Sequence, residues 1–201
     1  MIKTAFLLLV AFSLVVYVAF LAFTIRFRPR RRLHADLTSH FPRVSVLKPL
    51  KNLVDELAEN LESYFTLDYP NYEIIFGLDS LDDPSLPPIR SLQARIPEVP
   101  VSVIITGHSD EVNPKIFKLA RMEGAACGDL LWVTDANTRV AAETLNRLVQ
   151  EQHRAGAQVI FSPIRGTGSR TLPSLMENMS LNLFTSGNIL TAWKLFRQLQ
   201  T

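Results

Sequence analysis

The chain has 201 residues, a formal net charge of +2 and a single cysteine, Cys127. This length suits one domain with a sizeable core. Five arginines fall between Arg26 and Arg32, so the remainder is close to neutral. That balance excludes a general nucleic-acid-binding protein, which needs a basic face across the domain. A lone cysteine excludes an intrachain disulfide, and we expect its thiol to be buried.

An uncharged, strongly apolar segment runs from Thr4 to Ile25. As a helix, about 22 residues rise roughly 33 Å, which matches the hydrocarbon core of a bilayer. A cleaved signal peptide is the alternative, but it predicts a shorter apolar region and no strong positive flank. Because Lys and Arg concentrate on the cytoplasmic side, we predict a single-pass membrane anchor with a basic flank, residues 1–32, and a following domain that faces the cytoplasm.

The rest of the chain alternates short apolar runs, typical of strands, with stretches of helical periodicity. In chain order we predict a strand at Val44–Leu47, a helix from Leu53 to Phe65, a strand at Tyr72–Leu78, a helix at Pro84–Ile96, a strand at Val101–Ile105, a helix at Lys115–Ala126, a strand at Leu130–Val133, a helix at Ala141–Ala155, a strand at Val159–Phe161 and a mostly helical stretch from Leu172 to Gln200. Such an alternation indicates a parallel sheet buried on both faces, so the predicted fold class is α/β.

Acidic residues follow two of the predicted strands. Asp79 and Asp83 come after the second strand, and Asp135 comes directly after the fourth. In open parallel sheets, ligands bind beyond the carboxyl ends of the strands. Carboxylates there suit Mg²⁺ or Mn²⁺ shared with a phosphate group. For Asp83 a turn followed by a helix cap is the simpler alternative, whereas an acid at the end of a buried strand is costly unless paired or used.

Other candidates are basic or glycine-rich. Lys48 and Lys115 each stand beside a proline in a loop, where both could reach a phosphate, although an ordinary surface lysine is the alternative for either. We expect His108 to be solvated. Residues 165–168, Arg-Gly-Thr-Gly, lack the spacing of a phosphate-binding P-loop, so we predict a mobile loop there.

Taken in order, several short motifs resemble one known family. They are V-S-V-L-K-P-L-K at 44–51, L-D-Y-P-N-Y-E at 67–73, D-D-P at 82–84, V-N-P-K at 112–115 and D-L-L-W-V-T-D at 129–135, with Arg-Val at 139–140. The series resembles the ceramide glucosyltransferases and their bacterial relatives, glycosyltransferase family 21, within the broad family-2-like group. The resemblance covers residues 42–165.

The resemblance implies a GT-A nucleotide-diphospho-sugar transferase fold for residues 42–165. It also implies transfer of a hexose, with glucose expected, from a UDP-sugar to a ceramide-like lipid hydroxyl in sphingolipid and glycolipid biosynthesis. Asp83 and Asp135 match the family's first two essential aspartates. Lys48 and Lys115 match recurrent lysines expected at the nucleotide or phosphate. Asp79 is a further candidate, as a contact to the base of the nucleotide. Asp135 is the expected metal ligand, for Mg²⁺ or Mn²⁺.

The chain departs from the family pattern at two points. The stretch after the fourth strand reads Asp-Ala-Asn, so a second metal-side carboxylate is missing. The family also places a third aspartate, the expected general base, and a Q-x-x-R-W motif further downstream, and this chain contains neither. We therefore assign no catalytic residue in this chain and expect a catalytic domain truncated at its C-terminus, with residues 166–201 as a partial acceptor-side or membrane-proximal segment.

Three alternatives remain open at this stage. The acceptor could be a hopanoid-type lipid, because bacterial relatives of the family act on such lipids. The chain could instead be a non-catalytic, membrane-anchored subunit that binds a nucleotide sugar. A second chain could also supply the missing motifs. Acceptor identity is not readable from these residues, because acceptor recognition is expected downstream.

Overall fold

The computed structural model describes residues 2–26, 41–51, 56–109, 113–185 and 187–189. The chain divides into two compact units, which are taken in turn below. One unit comprises residues 34–160, and the other comprises residues 1–33 together with residues 161–201.

The unit formed by residues 34–160 is built on a parallel sheet. Its strands are β1 (Val44–Pro49), β2 (Tyr72–Leu78), β3 (Val101–Ile105) and β4 (Leu130–Val133), in the spatial order β3-β2-β1-β4. Val46 of β1 lies opposite Ile74 of β2 on one side and opposite Trp132 of β4 on the other. The chain moves outward from β1 to β3 and then returns to the far side of β1. The strand order therefore reverses between β1 and β4, where open α/β sheets bind ligands.

Four helices cover the two faces of this sheet: α2 (Leu57–Phe65), α3 (Leu86–Arg95), α4 (Pro114–Glu123) and α5 (Thr144–Ala155). Successive strand residues point to opposite faces, so Val46 and Leu47 enter different clusters. Val46 packs in the larger core with residues of α2, α3 and α5. Leu47 packs on the other face with Met122 of α4. Helices on both faces explain why the strands read as nearly continuous apolar runs.

The start of α4 is set by local sequence. The side chain of Asn113 accepts hydrogen bonds from the backbone N–H of Lys115, at 3.0 Å, and of Ile116, at 3.4 Å. Pro114 occupies the first turn, where a missing N–H costs nothing. This cap places Lys115 in the first turn of α4.

The first four predicted strands and the helices between them are confirmed. Within the described residues α2 begins at Leu57; the earlier positions 52–55 lie outside them. The helix α3 begins at Leu86, because the residues before it form a turn held by Asp83. The helices α4 and α5 are shorter than predicted, with Gly124 and Glu143 as their flanking residues.

Two predictions are wrong. Val159–Phe161 forms no strand: Val159 is 68% exposed and Phe161 is 84% exposed, so this apolar run has neither the paired backbone nor the covered face that a strand requires. Cys127 is exposed rather than buried. The loop before β4 is held through its main chain, since the N–H of Cys127 donates to Glu73 Oε1 at 2.8 Å, and this leaves the thiol outside.

The second unit contains α1 (Ile2–Arg26), α6 (Leu172–Met179) and a π-helical turn, Ser180–Thr185. Thr171 and Ser174 form a capping box at the start of α6. Helix is thus confirmed for the described part of the stretch predicted from Leu172; residue 186 and residues 190–201 lie outside it.

The helix α1 has 25 residues, and its described large apolar side chains between Phe6 and Val18 are exposed. Among the residues that the structure describes, none of the helices meets the combined length and hydropathy of a membrane span. The membrane anchor therefore stays a prediction.

Candidate functional site

All five residues singled out from the sequence belong to the same end of the parallel sheet. Lys48 is the last residue but one of β1, Asp79 follows β2, Asp83 stands in the turn before α3, Lys115 is in the first turn of α4 and Asp135 follows β4. The carboxyl ends of parallel strands share one edge, which explains this common placement. Only three of the five, however, are in contact with one another.

Asp135 is the centre of that contact group. Its Oδ1 forms an ion pair with the Nζ of Lys115. Both side chains are about half exposed, 44% for Asp135 and 48% for Lys115. An exposed pair of this kind contributes about 0–1 kcal/mol, so both groups remain available to a ligand that offers charges of its own.

Lys48 reaches the same residue from inside the protein. Its side chain is completely buried, and Nζ donates to the main-chain carbonyl oxygen of Asp135 at 2.7 Å. The ammonium also lies 3.8 Å from the centre of the Tyr64 ring, a cation–π contact. Burial lowers the pKa of Lys48 to about 7, against the opposing effect of the Asp135 charge. Lys48 is therefore not the ordinary surface lysine that was the alternative.

Three hydroxyl groups continue this arrangement. The hydroxyl of Tyr64 lies 2.5 Å from Thr134 Oγ1 and 2.7 Å from Thr138 Oγ1. The two threonine hydroxyls are 2.7 Å apart, and that of Thr138 donates to the Asp135 carbonyl oxygen at 2.6 Å. Burial raises the pKa of Tyr64, with its two threonine hydrogen bonds acting in the opposite direction.

Sequence reasoning missed Tyr64 and Thr138. A signal for Tyr64 was present, because it lies three residues after Leu61 and so falls beside the apolar stripe of its helix. Nothing in the sequence shows that its hydroxyl meets the turn after β4.

Asp79 is engaged by a second buried lysine. Lys118 Nζ is 2.8 Å from Asp79 Oδ1 and also donates to the carbonyl oxygen of Leu50. The Asp79 contact is an ion pair without an aligned hydrogen bond, since Oδ1 is buried and no hydrogen-bond donor meets it in favourable geometry. Sequence reasoning missed Lys118. Its position four residues before Met122, on the buried side of α4, was the available signal.

Asp83 is only 7% exposed, and its Oδ1 accepts a hydrogen bond from the N–H of Ser85 at 2.9 Å. Its carbonyl oxygen accepts from the N–H of Leu86 at 3.0 Å. Both hydrogen bonds belong to a turn that leads into α3, which is the simpler alternative given for Asp83 in the sequence analysis. A role in holding the nucleotide stays a prediction.

The remaining candidates are His108, which follows β3, and the Arg-Gly-Thr-Gly stretch at 165–168. His108 is exposed, as expected. In the other unit, Gly166 is bonded through both its N–H and its carbonyl to the side-chain amide of Asn182, at 2.8 Å and 2.9 Å. Asn182 is thus a hydrogen-bond partner of the Arg-Gly-Thr-Gly stretch.

A divalent metal fits this edge only with help from a ligand. Within the described ranges, no group of three or more His, Cys, Asp or Glu side chains is close enough to hold a metal ion. The half-exposed carboxylate of Asp135 is a hard oxygen donor of the type that Mg²⁺ and Mn²⁺ prefer. One carboxylate is sufficient where phosphate oxygens and water complete the coordination.

Comparison with known protein families and sequences identifies the family to which the chain is related. The family model for glycosyl transferase family 21 matches residues 6–201. A ceramide glucosyltransferase of Komagataella phaffii is 31% identical over 147 residues, which are 71% of this chain and 28% of that relative. Ceramide glucosyltransferase 3 of Caenorhabditis elegans is 33% identical over 107 residues, 52% of this chain and 23% of that relative. The chain thus spans less than a third of either relative.

Solved structures share the fold. A mannosyltransferase from Pyrobaculum calidifontis, PcManGT, solved with GDP-Man and Mn²⁺, superposes with a TM-score of 0.51 at 21% identity, over 69% of this chain and 39% of that one. Residues 1–349 of Staphylococcus aureus TarS give a TM-score of 0.51 at 21% identity, over 65% of this chain and 38% of that one. At this identity the likeness concerns the fold alone, and it confirms a parallel α/β architecture of the GT-A-like kind.

Proposed function

The chain belongs to glycosyl transferase family 21, and on that premise we propose that it binds the sugar-nucleotide donor of a lipid glycosyltransferase. The inferred reaction moves a hexose, glucose, from UDP to the hydroxyl of a ceramide-like lipid. Relatives named ceramide glucosyltransferase support this substrate class. The observation that carries the proposal is the meeting of Lys48, Lys115 and Asp135 at the point where the strand order reverses.

The diphosphate of the donor is the group that this cluster suits best. A nucleoside diphosphate carries concentrated negative charge, and the half-exposed ammonium of Lys115 offers a matching positive charge at the sheet edge. The ion pair with Asp135 is weak enough for Lys115 to exchange its carboxylate partner for a phosphate. In our proposal Lys115 makes that exchange when the donor binds.

The carboxylate of Asp135 would then be left to hold a divalent metal together with the phosphate oxygens. When bound, Mg²⁺ or Mn²⁺ supplies Lewis-acid stabilisation of the departing UDP. The residues of this chain have the simpler tasks of holding the diphosphate and fixing the direction of the Asp135 carboxylate. The Mn²⁺ in the structure of PcManGT with GDP-Man supports a metal of this class.

The nucleoside would lie along the β2 side of the same edge, near Asp79 and Asp83. Both acids are already engaged, Asp79 with Lys118 and Asp83 with the N–H of Ser85. We therefore propose that they shape the wall that receives base and ribose, with the outer oxygen of Asp79 as the candidate contact to the base.

Transfer itself needs a group to accept the proton of the acceptor hydroxyl. The sole acid beyond residue 160 is Glu177, which lies on α6 in the other unit. General-base assistance is worth about 10²–10⁴-fold in rate, and we assign it to no residue of this sequence. Donor binding and transfer are therefore tested separately.

We also propose that α1 attaches the protein to a membrane, with the domain on the cytoplasmic side. The supporting features are its 25 residues, its exposed apolar side chains and the arginines from Arg26 to Arg32. Basic residues beside an apolar helix favour the cytoplasmic face and contact anionic headgroups. A lipid acceptor fits this placement, because it would be presented at the same surface.

Calorimetry with UDP-glucose and Mn²⁺ tests the donor site. Wild type is expected to bind, and Asp135→Asn is expected to weaken binding at least tenfold, about 1.4 kcal/mol, because the carboxylate proposed to hold Mn²⁺ with the phosphate oxygens is gone. Asp129→Asn is the matched control. Asp129 stands at the opposite end of β4, where its Oδ2 accepts from the N–H of Arg43 at 3.1 Å, so UDP-glucose affinity is expected to stay unchanged. Absence of binding by the wild-type chain would sink the proposal.

Product analysis with ceramide and a hopanoid alcohol as acceptors separates the alternatives. Glucosylation of ceramide supports the proposed enzyme, and preference for the hopanoid changes the acceptor only. Donor binding without any transfer, even with both lipids present, favours a nucleotide-sugar-binding subunit.

A further inference from the structure

The contacts of Lys48 differ from those of a residue that touches a phosphate. Its side chain is completely buried, and Nζ is taken up by a carbonyl oxygen and an aromatic face. The exposed cation at the same edge is Lys115, which pairs with the Asp135 carboxylate. The two lysines thus hold one residue by different parts, Lys48 by the main chain and Lys115 by the side chain.

The carbonyl oxygen of Asp135 is fully used. It accepts from Lys48 Nζ at 2.7 Å on one side, and from Thr138 on the other, through Oγ1 at 2.6 Å and the backbone N–H at 3.3 Å. Hydrogen bonds from a charged donor are the stronger kind. The peptide plane after Asp135 is therefore held from two sides, and the direction of the neighbouring side chain depends on that plane.

Counting the hydroxyl protons shows which of the hydroxyl groups near Asp135 its carbonyl oxygen requires. The hydroxyls of Tyr64, Thr134 and Thr138 make three contacts with one another, and Thr138 makes a fourth with Asp135. Three hydroxyls carry three protons, so one of the four contacts has no proton. Removing the Tyr64 hydroxyl leaves two protons for the two remaining contacts. The ring of Tyr64 is needed beneath Lys48, whereas its hydroxyl is expendable.

We propose that Lys48 is a positioning residue, which does not touch the donor but holds the Asp135 carbonyl so that the Asp135 carboxylate is presented at the edge of the sheet. This deepens the proposed function and rests on it for the ligand. The ring of Tyr64 has a part in this positioning, because it gives the buried Nζ of Lys48 its second contact.

A double-mutant cycle distinguishes positioning from direct contact. Lys48→Met is expected to weaken UDP-glucose binding about tenfold. If Lys48 acts only through Asp135, the pair Lys48→Met with Asp135→Asn binds no more than about twofold more weakly than Asp135→Asn alone. If the affinity losses of the two single variants multiply in the double variant, Lys48 contacts the donor directly and the inference is overturned. Wild-type affinity in Lys48→Met would also overturn it. Tyr64→Phe is expected to bind within about twofold of wild type, and a tenfold loss there would contradict the proton count.

Ser45→Ala is the matched control for stability. Ser45 is on the same strand and equally buried, but its hydroxyl donates to Glu73 Oε1 at 2.6 Å and accepts from the N–H of Gly128 at 2.9 Å, at the other end of the sheet. It is expected to lower the denaturation midpoint and leave UDP-glucose affinity unchanged. A parallel loss of affinity in Ser45→Ala would show that Lys48→Met acts through stability alone.

A measurement without ligand keeps this test separate from the proposed function. In the full chain in detergent, the ¹³C resonance of the Asp135 carbonyl reports the hydrogen bonds that this oxygen accepts. It is expected to move upfield in Lys48→Met and to stay in place in Ser45→Ala. Failure of the wild type to bind UDP-glucose would remove the proposed donor, while an unmoved carbonyl resonance in Lys48→Met would remove the positioning role.

Discussion

At the residue scale, the site is defined by one carboxylate and by the different burial of the two lysines around it. Lys115 is half exposed and weakly paired, so a ligand can recruit it at little cost. Lys48 is completely buried, and a buried ammonium is costly unless its charge is met by good contacts. A lysine buried at such a cost in free energy is more informative about function than an exposed lysine.

The titration of Lys48 gives a prediction about stability. Burial lowers its pKa from 10.5 to about 7. Between these values the unfolded chain holds the proton and the folded chain does not, so stability rises with pH across this window, by up to about 1.4 kcal/mol per pH unit. Below pH 7 both states hold the proton and the slope from Lys48 vanishes. Urea unfolding of wild type and Lys48→Met, measured from pH 6 to 10 in EDTA, should show a smaller slope in the variant.

Lys115→Met is the control for that comparison, because it removes a lysine whose side chain is about half exposed and leaves the buried Lys48 in place. Identical pH slopes in wild type and Lys48→Met would contradict a buried, readily deprotonated Lys48.

At the element scale, α4 organises much of the site. Its first turn carries Lys115 to Asp135, and its buried side carries Lys118 to Asp79 and to the carbonyl of Leu50. The helix can do this because it lies close against the sheet. A Cβ at Gly77 of β2 would come within 2.4 Å of the Met122 sulfur.

Gly77→Ala is therefore expected to destabilise the fold by about 1–3 kcal/mol, since the added methyl overpacks the contact between α4 and β2. Met122 is flexible and relieves part of the clash, which keeps the cost within this range. Denaturant titration measures it. Gly124→Ala is the matched control: the φ of Gly124 is −61°, and an added Cβ would lie 3.7 Å from the backbone oxygen of Arg121, an ordinary contact distance. Equal midpoints for the two variants would show that α4 does not depend on the glycine.

The run Val159–Phe161 shows the limit of pattern reasoning at this scale. Its composition is that of a buried strand, yet its side chains are exposed. Composition reports what a segment is able to form, whereas a strand also requires a neighbouring backbone and a covering face.

At the scale of the whole molecule, the parallel sheet and the apolar helix α1 belong to different compact units. The sheet carries the proposed donor site, and α1 carries the proposed attachment to a membrane. This separation allows the two parts of the proposal to be tested independently.

Replacing Leu8 and Val15 of α1 by Asp is expected to move the protein from the membrane pellet to the supernatant, since each charge costs about 2.5–3.5 kcal/mol inside a bilayer. Flotation with vesicles that contain anionic lipid measures the change. Leu81→Asp is the matched control, because Leu81 is 69% exposed and Leu8 is 67% exposed; Leu81 lies in the sheet-containing unit. Flotation of the Leu8 and Val15 variant with the vesicles would contradict attachment through α1.

Apolar strands alternating with amphipathic helices were enough to predict a parallel α/β sheet, because local periodicity follows directly from burial on one or both faces. The position of Asp135, immediately after the apolar run of β4, was likewise enough to predict that it stands at the carboxyl edge of the sheet. The ordered motifs from Lys48 to Asp135 were enough to indicate the family.

The partners of each side chain were decided only by the tertiary structure. Asp79 meets Lys118 and Lys48 meets the main chain of Asp135, pairs separated by 39 and 87 residues. The exposed thiol of Cys127 and the ring of Tyr64 beneath Lys48 are outcomes of the same kind. Periodicity is a local property of the chain, whereas hydrogen bonds and the burial of charge depend on which distant segments the sheet brings together.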